Sequence, residues 1–167
     1  MSELVFAYGS NMCSGRFRDY GVSPEASGIG ALLDGYHMLF NKQSMDGSGK
    51  ANLEAHEGSH VWGVLYSITH ADLLTLDAGE VGYRRMPLPV RRTDNADSQA
   101  WVYVASEPSN DPALHPYIWY KRFLVEGARE HSIPADYIAE LENIVAEQDA
   151  NGTRDRRKRA LACQAQP

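Results

Sequence analysis

LVFAYGSNM, residues 4–12, is the stretch on which the fold turns. LVFAY (4–8) is β-rich and is stopped by Gly9, and Ser10 and Asn11 lead into a short helix expected from Cys13 to Tyr20. Such a strand–glycine–helix junction points several backbone N–H groups the same way. The positive helix N-terminus reinforces them, so the turn can seat a carboxylate or a phosphate. Gly9 lets the backbone approach a ligand closely. Ser10 and Asn11 can cap the helix or hydrogen-bond the ligand. On its own the motif is weak evidence, and a capped turn with no ligand is the commoner reading.

Outward from this junction the chain reads mainly as strands for two-thirds of its length. SGIGALLDG (27–35) predicts a strand and then a turn, and YHMLFN (36–41) alternates Tyr36, Met38 and Phe40 on one face. VWGVLYSI (61–68) and AWVYVA (100–105) are apolar on both faces, as buried strands are. MPLPVRRT (86–93) carries two prolines, which places it at an edge or starts it at Pro87 or Pro89. SMDGSGKANLEAHEGSH (44–60) is rich in turn residues and reads as loop plus a short strand.

Helices are fewer. Thr69-His70-Ala71-Asp72 resembles a capping box opening LLTLDAG. HPYIWYKRFLVEGAREHSI (115–133) places Tyr120, Phe123, Leu124, Gly127 and Ala128 on one helical stripe. Pro134 then opens a second helix at a first-turn position, with Tyr137, Ile138, Leu141, Ile144 and Val145 as its stripe. A 20–50-residue repeat is not seen, which argues against a solenoid or propeller.

The chain has 167 residues, 43% hydrophobic and 23% charged, the proportions of one soluble globular domain. Its net charge of −6 is uneven. Residues 151–167 hold five cations, among them Arg154 and Lys158, against one anion, so residues 1–150 carry −10. The sequence therefore divides into a domain over 1–150 and a basic, flexible tail over 151–167, dispensable to chemistry. Bulk electrostatics disfavour nucleic acid. The apolar runs are too short to span a membrane, and Glu3 stands where a signal peptide carries positive charge. A cytoplasmic protein is expected. Cys13 and Cys163, far apart and in no metal-binding spacing, read as two unrelated free thiols.

A second chemical candidate is LTLDAGEVGYRR (74–85). Glu80 sits between Gly79 and Gly82 just past a helix, where glycines free the backbone to place one carboxylate. A solvated loop glutamate is the common case. Partial burial would raise its pKa and make it a base. Arg84 and Arg85 are expected to face solvent, with a charge pairing to Glu80 as the alternative.

These blocks together resemble the gamma-glutamylcyclotransferase family. The resemblance rests on Y-G-S-N at 8–11, the glutamate in L-D-x-x-E at 76–80, the nearby VWGVLY at 61–66, and Tyr120-Lys121-Arg122 followed by Gly127-Ala128-Arg129-Glu130 and Ile133-Pro134. It spans about residues 4–145. It implies an α+β fold, a small mixed β-barrel wrapped by helices with a C-terminal helix pair and a cavity at one end. It also implies that the α-amine of a gamma-glutamyl substrate attacks its own γ-carbonyl, releasing an amino acid or amine and 5-oxoproline. No metal or organic cofactor is implied, and the partner is the small gamma-glutamyl substrate, with a homodimer possible. Carried over by position, Glu80 is the general acid/base. Val5, Phe6, Ala7, Tyr8, Gly9, Ser10 and Asn11 form the substrate-binding stretch, with N–H donors for the substrate carboxylate at Gly9 and Ser10. Tyr120 lines the same cavity. The sequence departs from the family at Val81, where glycine usually follows the glutamate, and in the short spacer E-V-G-Y. Y-G-S-N-M favours gamma-glutamyl amino acids or similar amides. Removal of a gamma-glutamyl protecting group from a biosynthetic intermediate stays open.

Two rivals come from other classes. The same cavity could bind a small acidic ligand without turnover. A Cys13 nucleophile could pair with His37, His56, His60, His70, His115 or His131, but nothing in the spacing selects one. His56 and His60 have helical metal-pair spacing, yet they bracket Glu57-Gly58-Ser59, which reads as a turn.

Overall fold

The computed structural model describes residues 2–161 and 163. Five strands close into a barrel in the order β1-β3-β2-β4-β5: β1 Ser2–Ala7, β2 Ile29–Gln43, β3 Gly49–Thr69, β4 Tyr83–Arg92 and β5 Asp97–Ala105. Neighbours are antiparallel except at the seam, where β1 runs parallel to β5 with Val5 opposite Trp101. The helices are α1 Ser14–Tyr20, α2 His70–Gly79, α3 Ile118–Glu130, α4 Ala135–Glu142 and α5 Gly152–Arg159. This is the expected α+β mixed barrel with its helix pair, α3 and α4. Among the described residues no helix is long and apolar enough to cross a membrane.

Local signals hold where they are strong. The Thr69 hydroxyl caps α2 by accepting from the Asp72 N–H. The stripe of α3 is buried as expected, with Trp119 and Val125 added. In α4, Tyr137 and Leu141 are buried, but the helix ends at Glu142 and Val145 is exposed. Strand β4 pairs along its length with β5 but meets β2 only at Arg91 and Arg92, so Pro87 and Pro89 sit where one flank is unpaired.

Three expectations are corrected. Residues 49–60 are not loop; they are the first half of the 21-residue strand β3, which forms a long hairpin with β2. Gly35 and Gly58 adopt positive φ inside strands, at irregularities that the ladder absorbs, so turn-forming composition did not break the hairpin. His56 accordingly lies in a strand, bonded to the Ser59 hydroxyl at 2.8 Å and stacked on His37.

The cysteines are not free thiols: Cys13 and Cys163 form a disulfide across 150 residues of sequence. Nor is the basic segment a loose tail. Asn151 caps α5 through the Arg154 N–H at 3.0 Å. Arg154 grips the buried Asp149 with Nε and Nη2, both at 2.6 Å, and Asp149 also accepts from the Trp119 indole at 2.8 Å. Lys158 reaches Asp19 at 3.1 Å. Arg122 donates to the carbonyls of Lys158 and Leu161 at 3.2 and 2.7 Å. Clustered charge looked solvated in the sequence because its partners are supplied by α1 and α3. Residues 162 and 164–167 of that segment lie outside the described residues.

Candidate active site

The site forms where β1 leaves the barrel. A 3-10 turn, Ser10–Met12, links β1 to α1, with the Met12 and Cys13 N–H groups bonded to the Gly9 and Ser10 carbonyls. Met12 is fully buried. Helix α3 lies tight against this turn because Gly127 has no side chain; a Cβ there would stand 2.4 Å from the Met12 backbone. Two helical turns earlier, Tyr120 is carried onto the same side. Its hydroxyl accepts from the Ala51 N–H at 3.1 Å and lies 3.0 Å from where a Gly9 Cβ would be. Gly9 is thus required by close approach, and its φ of −107° is one any residue adopts.

Glu80 arrives from the end of α2. Its N–H closes the helix on Leu76, and its carbonyl accepts from the Tyr83 N–H as Gly82, at φ +84°, turns the chain into β4. The flanking glycines have separate jobs. Gly82 supplies the left-handed turn, and Gly79 makes room for the Tyr20 ring, which a Cβ would meet at 2.3 Å. The Glu80 carboxylate accepts from Asn11 Nδ2 at 2.7 Å and from the Tyr20 hydroxyl. Burial pushes the carboxyl above the usual carboxylate range, against the pull of the Asn11 bond and the Arg16 charge.

Every residue expected at the site meets in one small cavity of about 40 Å³: Val5, Phe6, Ala7, Tyr8, Gly9, Ser10, Asn11, Glu80 and Tyr120 all line it. Ala51, Tyr83 and Tyr103 complete the wall and had gone unnoticed in the sequence. Tyrosines dominate. Tyr8 donates to the Tyr103 carbonyl at 2.5 Å, Tyr83 to the Ala51 carbonyl at 2.7 Å, and Tyr103 to Asp77 at 2.7 Å. These bonds leave their rings as fixed walls. Burial moves the Tyr120 phenol up to about 12, so it stays a neutral donor at physiological pH. Asn11 Oδ1 is buried without a partner. The Ser10 N–H, expected to hold the substrate carboxylate, is instead bonded to the Tyr120 hydroxyl, while the Gly9 N–H has no backbone acceptor among the turn and loop bonds of the described residues.

Arg85 does not pair with Glu80. It bonds Asp77 at 3.2 Å and stacks on Trp101, while Arg84 is exposed. Val81 is exposed on the outer rim, so its side chain in place of glycine does not fill the cavity. The Cys13 sulfur is spent in the disulfide, and no group of three or more His, Cys, Asp or Glu among the described residues could hold a metal.

Comparisons of sequence and fold point to one group of known proteins. The model of the AIG2-like family matches residues 60–141. A gamma-glutamylcyclotransferase of Bos taurus is 27% identical over 148 residues, covering 86% of this chain and 79% of its own length. The Homo sapiens gamma-glutamylcyclotransferase is 26% identical over 151 residues, with the same coverage. A solved gamma-glutamyl cyclotransferase superposes with a TM-score of 0.79 at 26% identity, covering 91% of this chain and 92% of its own. In sequence and in fold the chain is thus similar to gamma-glutamylcyclotransferases over most of its length.

Proposed function

We propose that the protein converts a gamma-glutamyl amide to 5-oxoproline and a free amine, with Glu80 as the proton carrier. The observation that carries this is a carboxylate partly buried and raised in pKa that shares one cavity with the Gly9 turn and the Tyr120 hydroxyl. The nucleophile is the substrate's own α-amine, which is mostly protonated at neutral pH. Glu80 takes a proton from that ammonium, and a base with a raised pKa near working pH does so effectively. The amine nitrogen then bonds to the γ-carbon, Glu80 gives its proton to the amide nitrogen as the γ-carbon to amide-nitrogen bond breaks, and the freed carboxylate takes the second proton from the ring nitrogen and passes it to solvent, leaving a neutral lactam and a free amine. Tethering makes the attack intramolecular, so holding the folded substrate in reach supplies most of the acceleration.

The Gly9 and Asn11 N–H groups receive the substrate α-carboxylate in this scheme. The neutral Tyr120 hydroxyl faces the oxygen that gains charge. Asn11 has two tasks: its amide nitrogen holds Glu80, and its free Oδ1 accepts from the ammonium. We also propose a cytoplasmic location; fractionation of cells that express the protein tests it. The function is tested by incubating the protein with a panel of gamma-glutamyl compounds and assaying 5-oxoproline. Turnover by wild type that falls by about 10²–10⁴-fold in Glu80→Gln is expected. No product across the panel, or full activity in Glu80→Gln, refutes it.

A further inference from the structure

The Glu80 carboxylate stands between two spaces. One is the inner cavity beside the Gly9 turn. The other is a wider outer space of about 270 Å³ that shares Ser10, Glu80, Tyr83 and Tyr120 with it. The carboxylate's two hydrogen-bond donors come from opposite sides. Asn11 lines the inner cavity and not the outer space, and its Nδ2 donates to Oε1 at 2.7 Å. Tyr20 lines the outer space and not the inner cavity, and its hydroxyl donates to the same carboxylate.

Tyr20 is itself held by its neighbours. Its ring edge fills the notch left by Gly79, where a Cβ would stand 2.3 Å from a ring carbon. Arg16, one turn earlier on α1, stacks over the ring at 4.4 Å from the centroid. Arg16 Nη2 also donates to the Tyr20 hydroxyl at 3.2 Å. Its Nη1 is tied to Asp19, which Lys158 of α5 reaches at 3.1 Å. The hydroxyl oxygen therefore accepts from a cation while its proton is turned to Glu80, which strengthens it as a donor. Burial holds the phenol well above its ordinary value, so it stays neutral.

We propose that Tyr20 is a positioning residue for Glu80: braced by Arg16 and seated in the Gly79 notch, its hydroxyl holds the carboxylate from the outer side and favours its charged form, as Asn11 does from the inner side. This rests on the reading of Glu80 as the proton carrier and adds a second grip on it from α1. The other groups that face the carboxylate act through space. Arg16 and Lys42 of β2 favour its charge, and Lys50 of β3 is tied to Asp46 at 2.9 Å. The phenols of Tyr8, Tyr83, Tyr103 and Tyr120, on β1, β4, β5 and α3, are all raised by burial and neutral.

Tyr20→Phe tests the assignment, because it removes the hydroxyl and keeps the ring in its notch. The acid limb of kcat/KM for 5-oxoproline formation should move up by about one pH unit, as loss of a hydrogen bond to a charged group predicts. On that limb kcat/KM should fall about tenfold, while the plateau holds within about twofold. The titration of the Glu80 side chain, followed by carbon-13 NMR, should rise in step. A limb or a titration that stays at its wild-type position, or a loss by the same factor at every pH, overturns the role of Tyr20 and leaves the lactam-forming reading intact. No 5-oxoproline from wild type overturns the lactam-forming reading, and the NMR titration then decides the Tyr20 contact alone: a midpoint that rises supports it and one that stays overturns it.

Discussion

Glu80 and Asp149 are two carboxylates withdrawn from bulk water, and their surroundings drive them in opposite directions. Asp149 receives the Trp119 indole, the Asn151 N–H and a two-pronged Arg154, and is held down to about 2. Glu80 has Asn11 and Tyr20, no cation in contact, and burial pushes it up. One carboxylate is saturated and serves the fold. The other is left short of partners and so keeps a proton to trade. Burial is common to both, and the partner count separates them.

This contrast can be broken from either side. The largest effect belongs to Glu80→Gln, which should lose the about 10²–10⁴-fold in turnover given above yet melt higher than wild type at neutral pH. The sign follows from its raised pKa. The folded state penalises the charged form, so stability is full below the unfolded value and is lost as pH rises through the folded one. A lower melting temperature for Glu80→Gln would contradict it.

Asp149→Ala should do the reverse. It leaves Arg154 and the Trp119 N–H unpaired and should cost on the order of 3 kcal/mol in denaturant unfolding with little change in kcat. The Asp149 value lies below its unfolded one of about 3.9, so its contribution is present above about pH 4 and disappears as pH falls through about 2. Acid titration of wild type and variant should show stability curves converging over that window, and parallel curves would refute the assignment.

The smallest effect is the most specific. Asn11→Ala removes the hydrogen bond that lowers Glu80. The acid limb of kcat/KM, already above the usual carboxylate range, should move to higher pH. A limb that stays put would show that Asn11 does not tune Glu80.

Parts of this were legible in the sequence, and the reason differs from part to part. Thr69 acts through Asp72, close in sequence, and the α3 stripe follows a fixed helical spacing, so cap and helix stripe could be read. Glu80 could be named as a base only through resemblance, because burial is a tertiary fact. Tyr83 and Tyr103 come from strands that share a wall only once the barrel closes, and nothing in EVGYRR or AWVYVA marks them as cavity residues. The hairpin of β2 and β3 was obscured because Gly35 and Gly58 advertise turns that long-range pairing overrode. The charge of residues 151–159 read as solvated because Asp149, Asp19 and the α3 end of Arg122 lie outside it.

The Cys13–Cys163 link makes nearly the whole chain a covalent ring. On a chain-entropy treatment, closing a loop of that size removes on the order of 5 kcal/mol of freedom from the unfolded ensemble. It also changes what a break in the backbone means. A protease cut at the fully exposed Met45 would leave one molecule while the link stands and two covalently separate fragments once it is reduced. The turn that carries Gly9 to Met12 is anchored at its exit by that same link. The redox state of Cys163 thus decides whether the two pieces of a nicked chain stay covalently joined.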